Sequence, residues 1–214
     1  MTLPLPDDGP TAMTSATMFD FSQYRPQPAS PEFAQFTQNL RELQDVMQSA
    51  HPDDTVWAAA AAQLSQLSTT LARHRAPEIQ APAGRAADLP GFGNPLIPAF
   101  SIHTSSADGV VLHGQFGRFY HGAHDVVLGG ALPLLFDWHF ALVVDAAARP
   151  ISRTAYLHVD YTDYVLTNTP LQATARIDSV EGRKTFLSAE LTRSDGTKLA
   201  NATAMMIALQ PHQR

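Results

Sequence analysis

The stretch Leu128-Gly-Gly-Ala-Leu-Pro-Leu-Leu-Phe-Asp-Trp-His-Phe-Ala-Leu-Val-Val144 decides the fold. Laid on a helix starting at Gly129-Gly130, its residues Leu132, Leu134, Leu135, Phe136, Trp138, Phe140, Leu142, Val143 and Val144 are apolar on nearly every side. A helix of that kind has to be surrounded, and Pro133 does not break it, because the first turn has no intrahelical partner for the missing amide. Asp137 and His139 interrupt the run, which falls short of the ~20 residues a bilayer crossing needs, so no membrane span is expected.

On both sides of this helix the period changes to two. Ala155, Leu157, Val159 and Tyr161 alternate with Tyr156, His158 and Asp160, and Leu171, Ala173, Ala175 and Ile177 alternate with Gln172, Thr174, Arg176 and Asp178. Both stretches read as half-buried strands. Further strands are predicted at about Thr185 to Arg193 and Lys198 to Leu209, joined by Asp195-Gly196, and Asp108-Gly109 marks a hairpin before Val110 to Phe119. Strands in such tight succession pair antiparallel, so residues 100–210 are expected to form an α+β domain: a curved antiparallel sheet wrapped around one central helix.

Upstream the apolar period is helical. Phe33, Phe36, Leu40, Leu43 and Met47 recur behind Ser30 as N-cap and Pro31 at the first helical position, and Trp57, Leu64, Leu67 and Leu71 form a second stripe ending near Arg73 to Arg75. Residues 30–75 thus read as a helical hairpin. Residues 76–99, with five prolines and three glycines, read as a linker wrapping over a surface, and residues 1–29, rich in Pro and Asp and lacking the order of a secretory signal, as a flexible tail.

The chain has 214 residues, 44% hydrophobic and 16% charged, with a formal charge of -6 and no Cys. Nothing concentrates basic residues with aromatics, so nucleic acid is not an expected partner. The missing Cys excludes disulfides, thiolate metal sites and cysteine nucleophiles, and a cytoplasmic location is expected.

The order of these pieces resembles the hotdog-fold acyl-CoA thioesterases of the phenylacetate-pathway (PaaI) type, in the 4-hydroxybenzoyl-CoA thioesterase-like superfamily. The matching residues are Gly129-Gly130 followed by Asp137 on the helix, the strand bearing Thr154, Leu157, Val159 and Tyr161, the turn Glu181 to Lys184, and a last strand entered from an Asp-Gly turn. The resemblance implies a hotdog domain assembling as a homodimer or homotetramer and hydrolysing an acyl-CoA or related thioester, with no cofactor beyond coenzyme A as part of the substrate. It further implies Asp137 as base or nucleophile, the Gly129 amide as oxyanion donor, Thr154 approaching from the other subunit to bind the attacking water, and Arg183 with Lys184 near the coenzyme A phosphates. Where the family has His-Gly-Gly, this chain has Leu128-Gly129-Gly130. That His helps orient the thioester in the family, and His124, in the loop leading to Gly129, is the candidate to replace it.

The residues themselves support this chemistry. Thioester hydrolysis needs an activated water or an attacking carboxylate, plus donors for the oxyanion. Asp137 among Leu134, Phe136 and Trp138 is expected to be desolvated, hence a stronger base than a surface Asp, unless it is simply a buried acid bonded to backbone. Gly129 and Gly130 offer bare amides at the positive end of the helix, unless they only permit a tight turn. His121 and His124 have a chelating spacing but no acidic ligand pattern follows, so no metal site is expected. His139 points away from Asp137. Two other readings stay open: a non-catalytic acyl-thioester-binding or partner protein of the same fold, suggested by Leu128, and a hotdog hydratase or dehydratase, whose paired acid and His are not identifiable.

Overall fold

The computed structural model describes residues 26–210. It contains helices α1 (Pro31–Met47) and α2 (Asp54–Ala72), strands β1 (Ala99–Ser106) and β2 (Gly109–Gln115), helix α3 (Ala131–Ala146), and strands β3 (Ser152–Tyr161), β4 (Leu171–Glu181), β5 (Lys184–Arg193) and β6 (Lys198–Ala208). The strands form one sheet in the order β1-β2-β4-β5-β6-β3, with every neighbouring pair antiparallel. This is the expected α+β hotdog arrangement, its inner face wrapped around α3.

Size complementarity lets the sheet close on the helix. α3 turns Leu132, Leu135, Phe136, Phe140 and Val143 inward, while the central strands oppose them with Ala173, Ala189, Ala200, Ala202 and Ala204, all essentially buried. Large side chains on the helix thus pack against methyl groups on the sheet. Register shifts in β1, β3 and β4 add the local twist that curves the sheet.

Among the described residues the helix is not fully surrounded. Asp137, Ala141 and Asp145 lie exposed along its outer stripe. The reading of a helix apolar on nearly every side holds for composition, but the single sheet covers only one face.

α1 starts as its sequence dictates: Ser30 caps it by accepting from Phe33 N at 3.1 Å, and Pro31 occupies the first turn. It is fastened to the body at two points. Asp45 Oδ1 accepts from Phe119 N at 2.8 Å, and Arg41 donates to the carbonyls of Pro90 and Asn94. Gly117 makes room for the first contact, since a Cβ there would sit 2.5 Å from the Asp45 carboxylate. The linker contributes short turns at Glu78–Gln80 and Pro90–Gly93, and Phe92 packs edge-on against Trp138 of α3 with ring centroids 5.5 Å apart.

Two expectations about the extension need amendment. α1 and α2 are present where predicted but do not pack against each other as a hairpin, and α2 buries no residue at all. The tail expected over residues 1–29 lies mostly outside the described residues. Its last part is fixed, with Gln27 bridged to Ala86 and Ala29 N donating to Asp88.

Candidate active site

β3 is an edge strand, hydrogen-bonded on one side to β6. Its alternation is broken: Thr154 pairs with Met206 and Tyr156 with Met205, leaving Ala155 as the extra residue of a bulge. Strict alternation would have placed Ala155 on the inner row with Leu157 and Val159. The bulge gives that place to Thr154 instead, and bulges characteristically re-aim a side chain in this way. Thr154 Oγ1 then donates to Asp137 Oδ1 at 2.7 Å.

Thr154 reaches Asp137 within its own chain because β3 runs directly beside α3. The Asp137 carboxylate is exposed in the single chain, not desolvated, because Phe136 turns into the core while Asp137 falls on the uncovered stripe. Leu134 and Trp138 beside it are half-buried.

At the other end of β3, Tyr161 reaches over the start of α3 and donates its hydroxyl hydrogen to Gly129 O at 3.0 Å. Its ring lies 3.7 Å from where a Gly129 Cβ would be. The α3 helix begins at Ala131 with Gly130 as N-cap in right-handed helical geometry, so neither glycine is required by a left-handed turn. Among the described residues the Gly129 and Gly130 amides donate to no protein acceptor, and the space around Gly130 is open. A shallow cavity of about 370 Å³ lies here, lined by Gly129, Leu132, Tyr161 and Tyr164 among others. Free amides at a helix N-terminus facing open space suit an oxyanion. Leu128, just before them, is 60% exposed.

Arg183 and Lys184 form the tip of the β4–β5 hairpin. The tip is tied to the end of β6, with Arg183 Nη1 donating to Ala208 O at 3.0 Å and Ala208 N donating back to Arg183 O. Register places the hairpin close to Thr154: Thr185 pairs with Met206, which pairs with Thr154 on the far side. Two strand spacings, about 10 Å, thus separate this basic pair from the Asp137 contact. His124 stands exposed at left-handed φ in a loop that closes between Gly122 and Val126, and among the described residues nothing joins it to the other candidate residues.

His139 is fully buried on the opposite side of α3 from Asp137, as its two-residue offset requires. Its Nε2–H donates to Val110 O at 3.0 Å, while Nδ1 has no partner among the described residues. Burial pushes its pKa down to about 4, so the ring is neutral at pH 7. Among the described residues no cluster of three or more His, Asp or Glu could hold a metal ion, and no helix is long and apolar enough to cross a membrane.

The bond from Tyr161, named in the sequence only as a member of the strand pattern, to Gly129 and the buried Thr185 hydroxyl are the features the sequence reading did not single out. Tyr161 was detectable as the last member of the Leu157, Val159, Tyr161 row. Thr185, fully buried with its Oγ1 unpartnered among the described residues, carried no signal beyond its place in a strand.

No protein-family model matches the chain, and no curated protein matches it. Among solved structures it is similar to one described as a thioesterase superfamily protein, at 21% identity and a TM-score of 0.72, covering 85% of this chain and 97% of that one. That coverage takes in more than the sheet domain and so includes part of the extension. Smaller likenesses are to a hypothetical thioesterase from Streptococcus pneumoniae TIGR4 with coenzyme A (18% identity, 50% of this chain and 86% of that one, TM-score 0.48) and to the E. coli PaaI protein (16%, 50% and 82%, TM-score 0.48). The first likeness shows that the chain has the thioesterase-superfamily fold.

Proposed function

We propose that the protein hydrolyses an acyl-CoA or related acyl thioester, with Asp137 as base or nucleophile and Thr154 as the residue that positions it. The observation carrying this reading is the 2.7 Å Thr154–Asp137 hydrogen bond on an uncovered helix face. By occupying Oδ1, Thr154 leaves Oδ2 free to take a proton from water as the water oxygen adds to the thioester carbon. Collapse of the oxyanion expels the coenzyme A thiolate, which takes the proton, leaving a carboxylic acid and free thiol. The reaction draws on no cofactor beyond the coenzyme A that arrives as part of the substrate and leaves as the free thiol.

The oxyanion donor for this reaction belongs to a second copy. Seven residues of helix separate Gly130 from Asp137, roughly 10 Å of axial rise. Donor and base each have to come within ~3 Å of one carbonyl group, which that distance forbids within one chain. The unpaired outer edge of β3 and the open stripe of α3 provide the surface on which a second copy would bring its Gly129 amide to Asp137. A homodimer is the minimum assembly, with a homotetramer also compatible, and the same closure would supply the desolvation that the single chain lacks. Arg183 and Lys184, at the same end of the sheet, are suited to the coenzyme A phosphates.

A thiol-release assay over short, medium, long and aromatic acyl-CoAs tests this reading, and release from none of them overturns it. Leu128 favours one second reading: an exposed apolar side chain where the thioesterase pattern has a His suits a protein that binds the acyl thioester without turning it over.

A further inference from the structure

We propose that α2 is a self-association element, pairing antiparallel with the α2 of a second copy. This inference does not depend on thioester hydrolysis or on pairing through the β3 edge. α2 is a 19-residue helix with no buried residue, although Val56, Trp57, Leu64, Leu67 and Leu71 are between 41% and 52% exposed. From Thr55 to Ala72 it carries no charged side chain; its polar face is made only of Thr, Ser and Gln, opposite the stripe of large apolar residues. α1, by contrast, carries Glu32, Arg41, Glu42 and Asp45 over a similar length and is fastened to the body.

The exposed large residues are not scattered. Trp57, Leu64 and Leu71 are spaced by seven, with Leu67 between the last two and Ala60 and Ala61 at the corresponding place in the preceding turns. This is a seam of the kind that packs knobs into holes against another helix.

Two features identify the occupant as the same helix running the other way. The ends carry opposite charge, Asp53 and Asp54 at the start and Arg73 and Arg75 just beyond the end. Antiparallel pairing sets Asp53 beside the partner's Arg75, whereas parallel pairing stacks like charges at both ends. The seam is also complementary to its own reverse. With Leu64 on the twofold axis, Trp57 meets the partner's Leu71 and Ala61 meets the partner's Leu67, a small residue opposite a large one. The contact then runs about 21 Å, from Trp57 to the partner's Trp57.

The chain has no Cys, so single cysteines report this geometry in the full-length protein. Leu64→Cys should oxidise to a covalent dimer ~10²-fold faster than Gln66→Cys, which lies on the opposite face of α2. Ala61→Cys and Leu67→Cys should each remain uncross-linked alone, and co-expressed they should form the mixed disulfide. All four positions are exposed, so none of the variants tests the fold instead. If Leu64→Cys stays reduced, whatever the mass of the protein, α2 does not pair with itself and the proposal fails. If Ala61→Cys alone cross-links as fast as Leu64→Cys, the helices run parallel and the proposal also fails.

Discussion

Thr154 and Asp137 meet at 2.7 Å only because β3 bulges at Ala155. Without that extra residue Thr154 would face the outer side of the sheet and α3 would present a bare carboxylate. The bulge therefore couples an edge strand, whose free side is the natural place for a second copy, to the acid on the helix.

Asp137→Asn keeps the shape of the side chain and its bond from Thr154 but removes the charge. Thiol release should fall by ~10² or more while acyl-CoA binding persists. Thr154→Val keeps the acid and frees it to rotate, a smaller loss of ~10-fold, in keeping with one hydrogen bond to a charged group. Steady-state rates on one acyl-CoA check both. Full activity in Asp137→Asn would remove this residue from the mechanism.

The fold was legible because helix and strand periods are unmixed beyond residue 100, and Asp-Gly turns mark the hairpins. The exposure of Asp137 was not, because a list of neighbours along the chain, Phe136 and Trp138, does not say which face of a helix is covered. Thr154 was singled out by resemblance, but its inward aim depends on a bulge that disturbs the alternation by one residue, and the pattern Ala155, Leu157, Val159 looked regular. α2 misled in a similar way: an apolar stripe at helical spacing does not show that the same chain buries it.

His139 makes the fold sensitive to acid. Its pKa is about 4 in the folded protein against 6.5 unperturbed, so between these values the unfolded chain holds the extra proton. Stability contributed by the neutral ring is complete above pH 6.5 and is lost as pH falls toward 4, by roughly 3 kcal/mol in all. His139→Gln keeps a donor for Val110 O and does not titrate in this range. Urea unfolding at pH 7 and pH 4.5 should show a smaller difference for the variant than for the parent, and equal differences would show that His139 is not the group responsible.

α1 stays docked through Asp45. Asp45→Ala removes the acceptor from the Phe119 amide at the entry of the Arg118–Tyr120 turn, a cap-like loss of about 1–2 kcal/mol. Gly117→Ala acts on the same contact from the other side by pushing a methyl group against the carboxylate. Hydrogen exchange should quicken across Pro31–Met47 in both variants while β4, β5 and β6 remain protected. Unchanged exchange over α1 would show that Arg41 and the apolar contacts hold the helix without Asp45.

Leu128→His separates turnover from binding. Residue 128 precedes the two free amides of Gly129 and Gly130 and is largely exposed, so an imidazole there meets no steric obstacle. If the site hydrolyses thioesters, an added donor beside the Gly129 amide would help hold the carbonyl while Asp137 of the facing copy activates water, and the rate should rise by ~10-fold. The gain should vanish in the double variant with Asp137→Asn, because the donor only assists a reaction that the carboxylate drives. Thiol-release rates for parent, single and double variants, with acyl-CoA affinity measured alongside, decide the matter. No release from parent or Leu128→His, with affinity intact in both, would favour the binding-protein reading over hydrolysis.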